Sequence, residues 1–454
     1  MTLHAFWMGR AASARAQHRS AAQRRKNVAH GVSHGYKVGS NQSPSGAEEK
    51  SHKQSKAYPR LHQFLCWLIW SVPSKNSGRI LLGTIALVLV VAVSSVIAAA
   101  PAVDSSKTGV SPALPLRSPQ PTYHIKVGLD GEVYPVFANY ASLQRPDDRS
   151  WGTVDITIAN PTAAPLENHI AVKILGWSDE EIQTVDVDAG AVRTFLFAPT
   201  FYPRLFDNRE IAAATALVTV RDARGKLLFT RTAQVRLRSA DDIYWGPKFE
   251  YAPFIASWVT PHDPMVEKVL SRAKEFAPGR RLPGYEAHRN PAQQQLSTYI
   301  QARAIYRALQ VLGVSYVKSS MTFGRNTDIS ERVRMPRESL RQISANCIDG
   351  AVMYASLFEN LGMEPEIVLV PHHAYVGVRV APGAKKYLYI ETALTGRASF
   401  ERAVRAAETG MKHYSASQVV RIPIDEARDV GIFPMPLPVR AAQGNVRPSL
   451  SAGR

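Results

Sequence analysis

Cysteine is nearly missing from this sequence: its 454 residues contain two, Cys66 and Cys347. A chain so poor in thiols has no disulfide framework. Histidine offers no cluster at ligand spacing either. His372 and His373 are adjacent, no further His or Cys stands near them, and no metal is expected. No glycine-rich loop precedes a predicted helix, so the usual phosphate cradle is lacking and no cofactor is expected. Long apolar runs are equally scarce. The one that stands out is Ile80 to Ala100 (ILLGTIALVLVVAVSSVIAAA), 21 residues without a charge.

Acidic residues are also in short supply, with 37 Asp and Glu against 55 Lys and Arg and a net charge of +18. The surplus is uneven. Up to Arg79 there are 13 basic residues against Glu48 and Glu49, or +11, whereas the remainder carries 42 basic and 35 acidic residues, or +7. A basic segment beside an apolar run marks the side of a membrane that stays cytoplasmic, and it attracts anionic lipid. This explains the charge without nucleic acid as a partner. At about 1.5 Å per residue, such a run covers a bilayer core of about 30 Å. The expectation is a largely disordered cytoplasmic segment over residues 1–79, a transmembrane helix over 80–100, and everything beyond it outside the cytoplasmic membrane. A cleaved signal peptide ending at Ala98-Ala99-Ala100 is the alternative; the long preceding segment and the length of the run speak against it. The patch Phe64 to Trp70 is too short to span and suits the membrane interface. On this topology Cys347 is a lone thiol in an oxidising compartment, separated from Cys66.

Beyond the apolar run, Pro101, Pro112, Pro115, Pro119 and Pro121 make residues 101–122 a stalk that forms neither helix nor central strand. The period then becomes two. Val154, Ile156 and Ile158 alternate with Asp155 and Thr157, and Ile170, Val172 and Ile174 alternate with Ala171 and Lys173. Turn signals at Asn160-Pro161, Asp188 to Gly190 and Asp222 to Gly225 separate such runs. They predict an all-β, immunoglobulin-like sandwich over residues 123–240, with no catalytic cluster in it. Helical spacing takes over in residues 245–432, an α+β domain. Asp263-Pro264 opens one predicted helix. Asn290-Pro291 opens another, with an apolar stripe of Leu296, Ile300, Ala304, Ala308 and Val311 that stops at Gly313. Residues 433–454 contain Pro434, Pro436, Pro438 and Pro448 and read as a disordered tail.

The chemistry is expected in the segment that begins Asn346-Cys347-Ile348-Asp349-Gly350. Val352, Ala355, Phe358 and Leu361 place a helix after it, with Gly362 as the stop and Cys347 at its start. A helix N-terminus stabilises a thiolate, and its N–H groups can hold the oxyanion formed when an acyl carbon is attacked. Asp349 suits the first turn as a capping acid. Asn346 is either the N-cap or an oxyanion donor, and Gln342 is a second candidate donor. Downstream, Glu366 to Val370 reads as a buried strand. Ala374 to Val380 reads as a second strand, beginning beside His372-His373, and Tyr387 to Ala393, which contains Glu391, as a third. A cysteine nucleophile needs a base, and the base a group that fixes its tautomer. His373 and Glu391 lie opposite each other if the hairpin is centred on Pro382.

The run NCID, the helix ending in LG, then LVPHHAYVGV and YIET, resembles the core of the transglutaminase-like superfamily of cysteine enzymes. Arg334 to Leu340 resembles the lead-in to the cysteine in bacterial members. The likeness covers residues 295–400. It implies a papain-like domain with Cys347 as nucleophile, His373 as base and Glu391 as the acidic third member. Where the sequence has His372, those relatives commonly have glycine, and His372 stands as a second candidate base. Expected partners are a peptide or protein substrate and, through residues 80–100, the membrane. The expected activity is acyl transfer from a peptide or amide bond, hydrolytic rather than cross-linking, with a non-catalytic peptide-binding scaffold as the alternative.

Overall fold

In the computed structural model, residues 119–286, 290–318 and 330–436 are described. Period-two patterning builds two sheets in the first half. Strands β1 (Thr122–Val127), β3 (Val154–Ala159) and β6 (Val192–Phe197) form an antiparallel sheet in the order β1-β3-β6. The second sheet runs β2 (Glu132–Val133), β8 (Leu227–Leu237), β7 (Ala212–Asp222), β4 (Leu166–Ile174) and β5 (Glu181–Val187), with β2 parallel to β8. Every second residue points inward. Ile156, Ile158, Ile170, Val172 and Ile174 are fully buried and share one core with Phe197 and Val220.

Between β2 and β3 the alternation is lost. Val136 to Ala141 is apolar or small apart from Asn139, and Pro135 supplies a fixed φ at the first helical position. The result is helix α1 (Pro135–Leu143), buried from Pro135 to Ala141. It does not belong to the β core alone. Tyr134, Val136, Phe137 and Tyr140 join a second core made largely of the C-terminal half, where Phe137 meets Phe254 edge-on at 4.8 Å.

That second core surrounds α2 (Pro264–Ala273), α3 (Pro291–Val311), α4 (Pro336–Gln342) and α5 (Cys347–Asn360). Asp263 caps α2 by accepting from the Met265 N–H at 2.8 Å. An antiparallel sheet lies beside α5, in the order β15 (Tyr387–Ile390), β14 (His373–Arg379), β13 (Pro365–Val370) and β16 (Val420–Pro423). Its other face meets α6 (Phe400–Met411), where Val368, Val370 and Tyr375 pack on Ala407. Short helix α7 (Ile424–Asp429) follows β16, and the chain stays packed to Met435, which is 2% exposed. Four short strands complete the half. β9 (Asp242–Tyr244) pairs with β11 (Ser330–Arg332), and β10 (Ser315–Tyr316) runs parallel to β12 (Ser344–Ala345).

This architecture corrects the expected fold class. No helix among the described residues is long and apolar enough to cross a membrane, and residues 80–100, where such a helix was expected, lie outside them. Residues 123–240 are not an all-β immunoglobulin-like sandwich, because they contain α1 and a parallel β2–β8 pair. Residues 245–432 do not close off as a transglutaminase-like domain, since α1 and β9 from the preceding segment supply part of their core and sheet pairing. The fold is mixed α/β with several sheets. The expected stripe on α3 is revised at its ends: Leu296 is 61% and Val311 46% exposed, whereas Ala304 and Ala308 are buried as expected. The buried side also carries Gln294, Thr298 and Gln301. Each is bonded to backbone, Gln301 to both the N–H and C=O of Gly284 at 2.8 and 3.0 Å, while the Nε2 of Gln294 has no partner among the described residues.

Candidate active site

Cys347 is the first residue of α5, and its neighbours set that start. Asn346 is the N-cap: its Oδ1 accepts from the Asp349 N–H at 2.7 Å, and Asp349 Oδ2 accepts from the Asn346 N–H at 3.2 Å. The Gly350 N–H donates to the Asn346 carbonyl at 3.0 Å. This capping box uses the other early donors and leaves the N–H groups of Cys347 and Ile348 with no partner in the first turn among the described residues. They are the donors available to an oxyanion formed at the sulfur. Glycine is required at 350 for space, since a Cβ there would lie 2.5 Å from Thr392 Oγ1. The Thr392 hydroxyl in turn donates to the Cys347 carbonyl at 3.3 Å.

Asp349 is fully buried and does more than cap. It accepts from the Arg334 N–H, Nε and Nη2, each at 2.8 Å, so that α5 is clamped to the segment before α4. Burial raises the Asp349 pKa, while the Arg334 and Asn346 donors oppose the rise. Removing the carboxylate would strand a guanidinium and two backbone donors. Asp349→Ala is therefore expected to cost about 3–5 kcal/mol in denaturant unfolding; a loss below about 1 kcal/mol would show that the clamp carries no such weight.

The base arrives on β14. Between β13 and β14, Val370 pairs with His373 across the two-residue turn Pro371-His372. His372 occupies the left-handed region at φ 62, the conformation glycine adopts freely, and is exposed. His373 is the histidine that reaches the site. It lies close enough to Cys347 for the thiol to raise its pKa, and its Nε2 lies 2.6 Å from Glu391 Oε2. With Nε2–H directed at the carboxylate, Nδ1 is the nitrogen left for the thiol. Glu391 is itself fixed, because its Oε1 accepts from the Ala393 N–H at 2.9 Å. The strand register differs from the one expected. Val376 pairs with Ile390 and Arg379 with Tyr387, which centres the hairpin on Gly383 rather than Pro382. Glu391 follows β15 at the level of Tyr375, and its carboxylate reaches His373 diagonally, a span open to long side chains.

Two tyrosines escaped the sequence reading. Tyr375 stands edge-on to the His373 ring, with centroids 4.7 Å apart and planes at 83°. Burial, with the negative charges of Glu391, Tyr414 and Cys347, pushes its pKa up to about 12, so it stays neutral. Its place two residues along the strand from His373 is a period-two signal that could have found it. Tyr316, on β10, lies close enough to Cys347 and Glu391 for their charges to raise its pKa, after the larger effect of burial. No local pattern announces it, because the parallel β10–β12 pair brings it in from 31 residues upstream of Cys347. Gln342 ends α4, exposed, with its Oε1 accepting from Arg334 Nη1 at 2.6 Å. Asn346 is committed to the cap.

Burial on its own would lower the His373 pKa, but the hydrogen bonds to Cys347 and Glu391 and their negative charges prevail and raise it from 6.5 to about 10. A histidine raised in this way holds an extra proton only when folded. Its stabilisation is full below about pH 6.5 and drains away as the pH climbs to about 10. Glu391→Gln removes the carboxylate's part of the shift. The His373 imidazole, followed by NMR, is then expected to titrate at lower pH, and the stability advantage of the wild type over the variant to shrink between pH 6.5 and 10. An unchanged His373 titration would contradict the assigned role of Glu391.

No protein-family model matches this chain, and no curated protein matches it. A solved structure described as the crystal structure of a FixG-related protein from Vibrio parahaemolyticus aligns with 21% identity. It covers 19% of this chain and 75% of that one, with a TM-score of 0.14. A likeness at that score carries no argument about fold or function.

Proposed function

We propose that this chain is a cysteine enzyme acting on peptide or amide bonds through a thioester on Cys347. The observation that carries the reading is one imidazole, His373, held by a carboxylate at 2.6 Å and close enough to the helix-terminal thiol of Cys347 for it to raise the imidazole pKa. The raised imidazole pKa keeps a proton on His373 at neutral pH, available to the departing amine. The sulfur attacks the acyl carbon, and the developing oxyanion takes the Cys347 and Ile348 N–H groups. Collapse expels the amine, which receives the proton from His373. The neutral imidazole then takes a proton from water, the resulting hydroxide equivalent attacks the thioester carbon, and collapse expels the Cys347 sulfur and releases the acid, leaving the proton on His373. Because the His373 side chain is 25% exposed, water has a path to it, and hydrolysis is preferred over transfer to a second amine. The residue-level resemblance of NCID, PHHAY and YIET to transglutaminase-like cysteine enzymes supports the same roles. We place the enzyme at the outer face of the cytoplasmic membrane, on the charge asymmetry about residues 80–100.

The test is a trap. The full-length Cys347→Ala protein and the wild type are incubated with a peptide library, and bound and released peptides are identified by mass spectrometry. The enzyme reading expects peptides retained by the variant to be cleaved by the wild type. Peptides held intact by both would identify a non-catalytic peptide-binding protein instead.

A further inference from the structure

A cavity of about 640 Å³ opens between α3 and the loop that leads into α6. Arg303 and Arg307, one turn apart on α3, line it together with Arg397, and Ser399 and Glu401 are among its other polar residues. Phe276 and Phe400 form apolar wall. Like charges placed four residues apart on a helix repel, and a third guanidinium adds to the repulsion. Among the described residues none of the three arginines forms an ion pair with a carboxylate, although such pairs are made by Arg280 and Arg428 elsewhere in the same half. The cavity's own side chains therefore sum to three positive charges and one negative.

The loop wall is held in place. Gln310 Nε2 donates to the Ala398 carbonyl at 2.7 Å, and the Tyr306 hydroxyl donates to the Leu394 carbonyl at 2.8 Å. The guanidinium groups thus flank a fixed backbone at the start of the 12-residue helix α6, whose N-terminal end adds to the positive field. We propose that this cavity binds the phosphoryl group of a phosphate monoester. Such a group carries close to two negative charges at neutral pH and offers three acceptor oxygens, matching both the net charge and the number of guanidinium forks. The volume leaves room for the organic part of the ester against Phe276 and Phe400. A single carboxylate would leave the arginines only half neutralised.

The proposal is independent of the chemistry at Cys347, and Cys347→Ala is expected to bind the ligand as the wild type does. The test is calorimetric titration of the full chain at about 0.15 M salt with two probes. Phenyl phosphate represents soluble esters, and dihexanoyl phosphatidic acid below its micelle concentration represents a lipid headgroup. Saturable binding is expected for at least one probe, and the tighter of the two names the source. Arg397→Gln, and separately the Arg303→Gln/Arg307→Gln pair, are expected to weaken binding at least tenfold. Arg231→Gln, on β8, is expected to leave it unchanged. Unaltered circular dichroism and thermal unfolding of the unliganded variants show that folding is intact. Binding that is absent for both probes, or equal in the wild type and all three variants, would overturn the proposal.

Discussion

Replacing Cys347 by alanine is expected to abolish turnover, lowering kcat by a factor on the order of 10⁵ or more, with little loss of stability. The large kinetic effect follows from covalent chemistry. No other side chain can form the thioester, because Cys347 is the only cysteine among the described residues and Thr392, the nearest hydroxyl identified at the site, is committed to the Cys347 carbonyl. The small effect on stability follows from the cap. The start of α5 is held by Asn346 and Asp349, not by the thiol, so alanine inherits the helix with its capping box intact. Peptide turnover assays set beside thermal unfolding check both halves. Residual turnover above about 1% would show that the nucleophile lies elsewhere.

His373→Ala is expected to cost nearly as much, since nucleophile and base act as a unit and losing either disables both. The variant should also lose selectivity towards thiol reagents. In the wild type the imidazolium stabilises the thiolate, and iodoacetamide should label Cys347 faster than it labels the unfolded chain at pH 6. In His373→Ala that advantage should fall at least tenfold. His372→Gly is the contrasting variant. It relieves a left-handed residue at φ 62 and touches neither the thiol nor Glu391, so activity is expected to be kept. If His372→Gly, rather than His373→Ala, removed the labelling advantage, the assignment of the base would be reversed.

The parts of the site legible in sequence were the local ones. Asn346 and Asp349 fit the capping pattern, Gly362 stands at φ 69 after α5, and Ile367 to Val370 is buried at every position, as its apolar run implies. The buried Glu366 interrupts the strand's apolar run. These features depend on neighbours within a few residues. Features set by distant partners were not legible. The two-residue shift of the β14–β15 hairpin depends on the loop of residues 380–386 around Gly383, and period-two patterning is the same in either register. The Arg334 clamp and Tyr316 depend on contacts between separate elements. α1 was misjudged because a short apolar segment carries no periodicity that separates helix from strand, and its burial is decided by the C-terminal core it enters. The α3 stripe held at Ala304 and Ala308 but failed at Leu296 and Val311, for a related reason. Gln294, Thr298 and Gln301 read as solvent-facing until the loop and strand backbone they bond is in place.

The central claim, a thioester on Cys347 assisted by His373, is tested most directly by intact-mass spectrometry of the full-length protein quenched in acid during turnover of a peptide p-nitroanilide. The account predicts an acyl adduct on Cys347 that forms in the wild type, is released on longer incubation, and is absent from Cys347→Ala. Turnover of the same substrate with no adduct at any quench time, and with Cys347→Ala equally active, would contradict it.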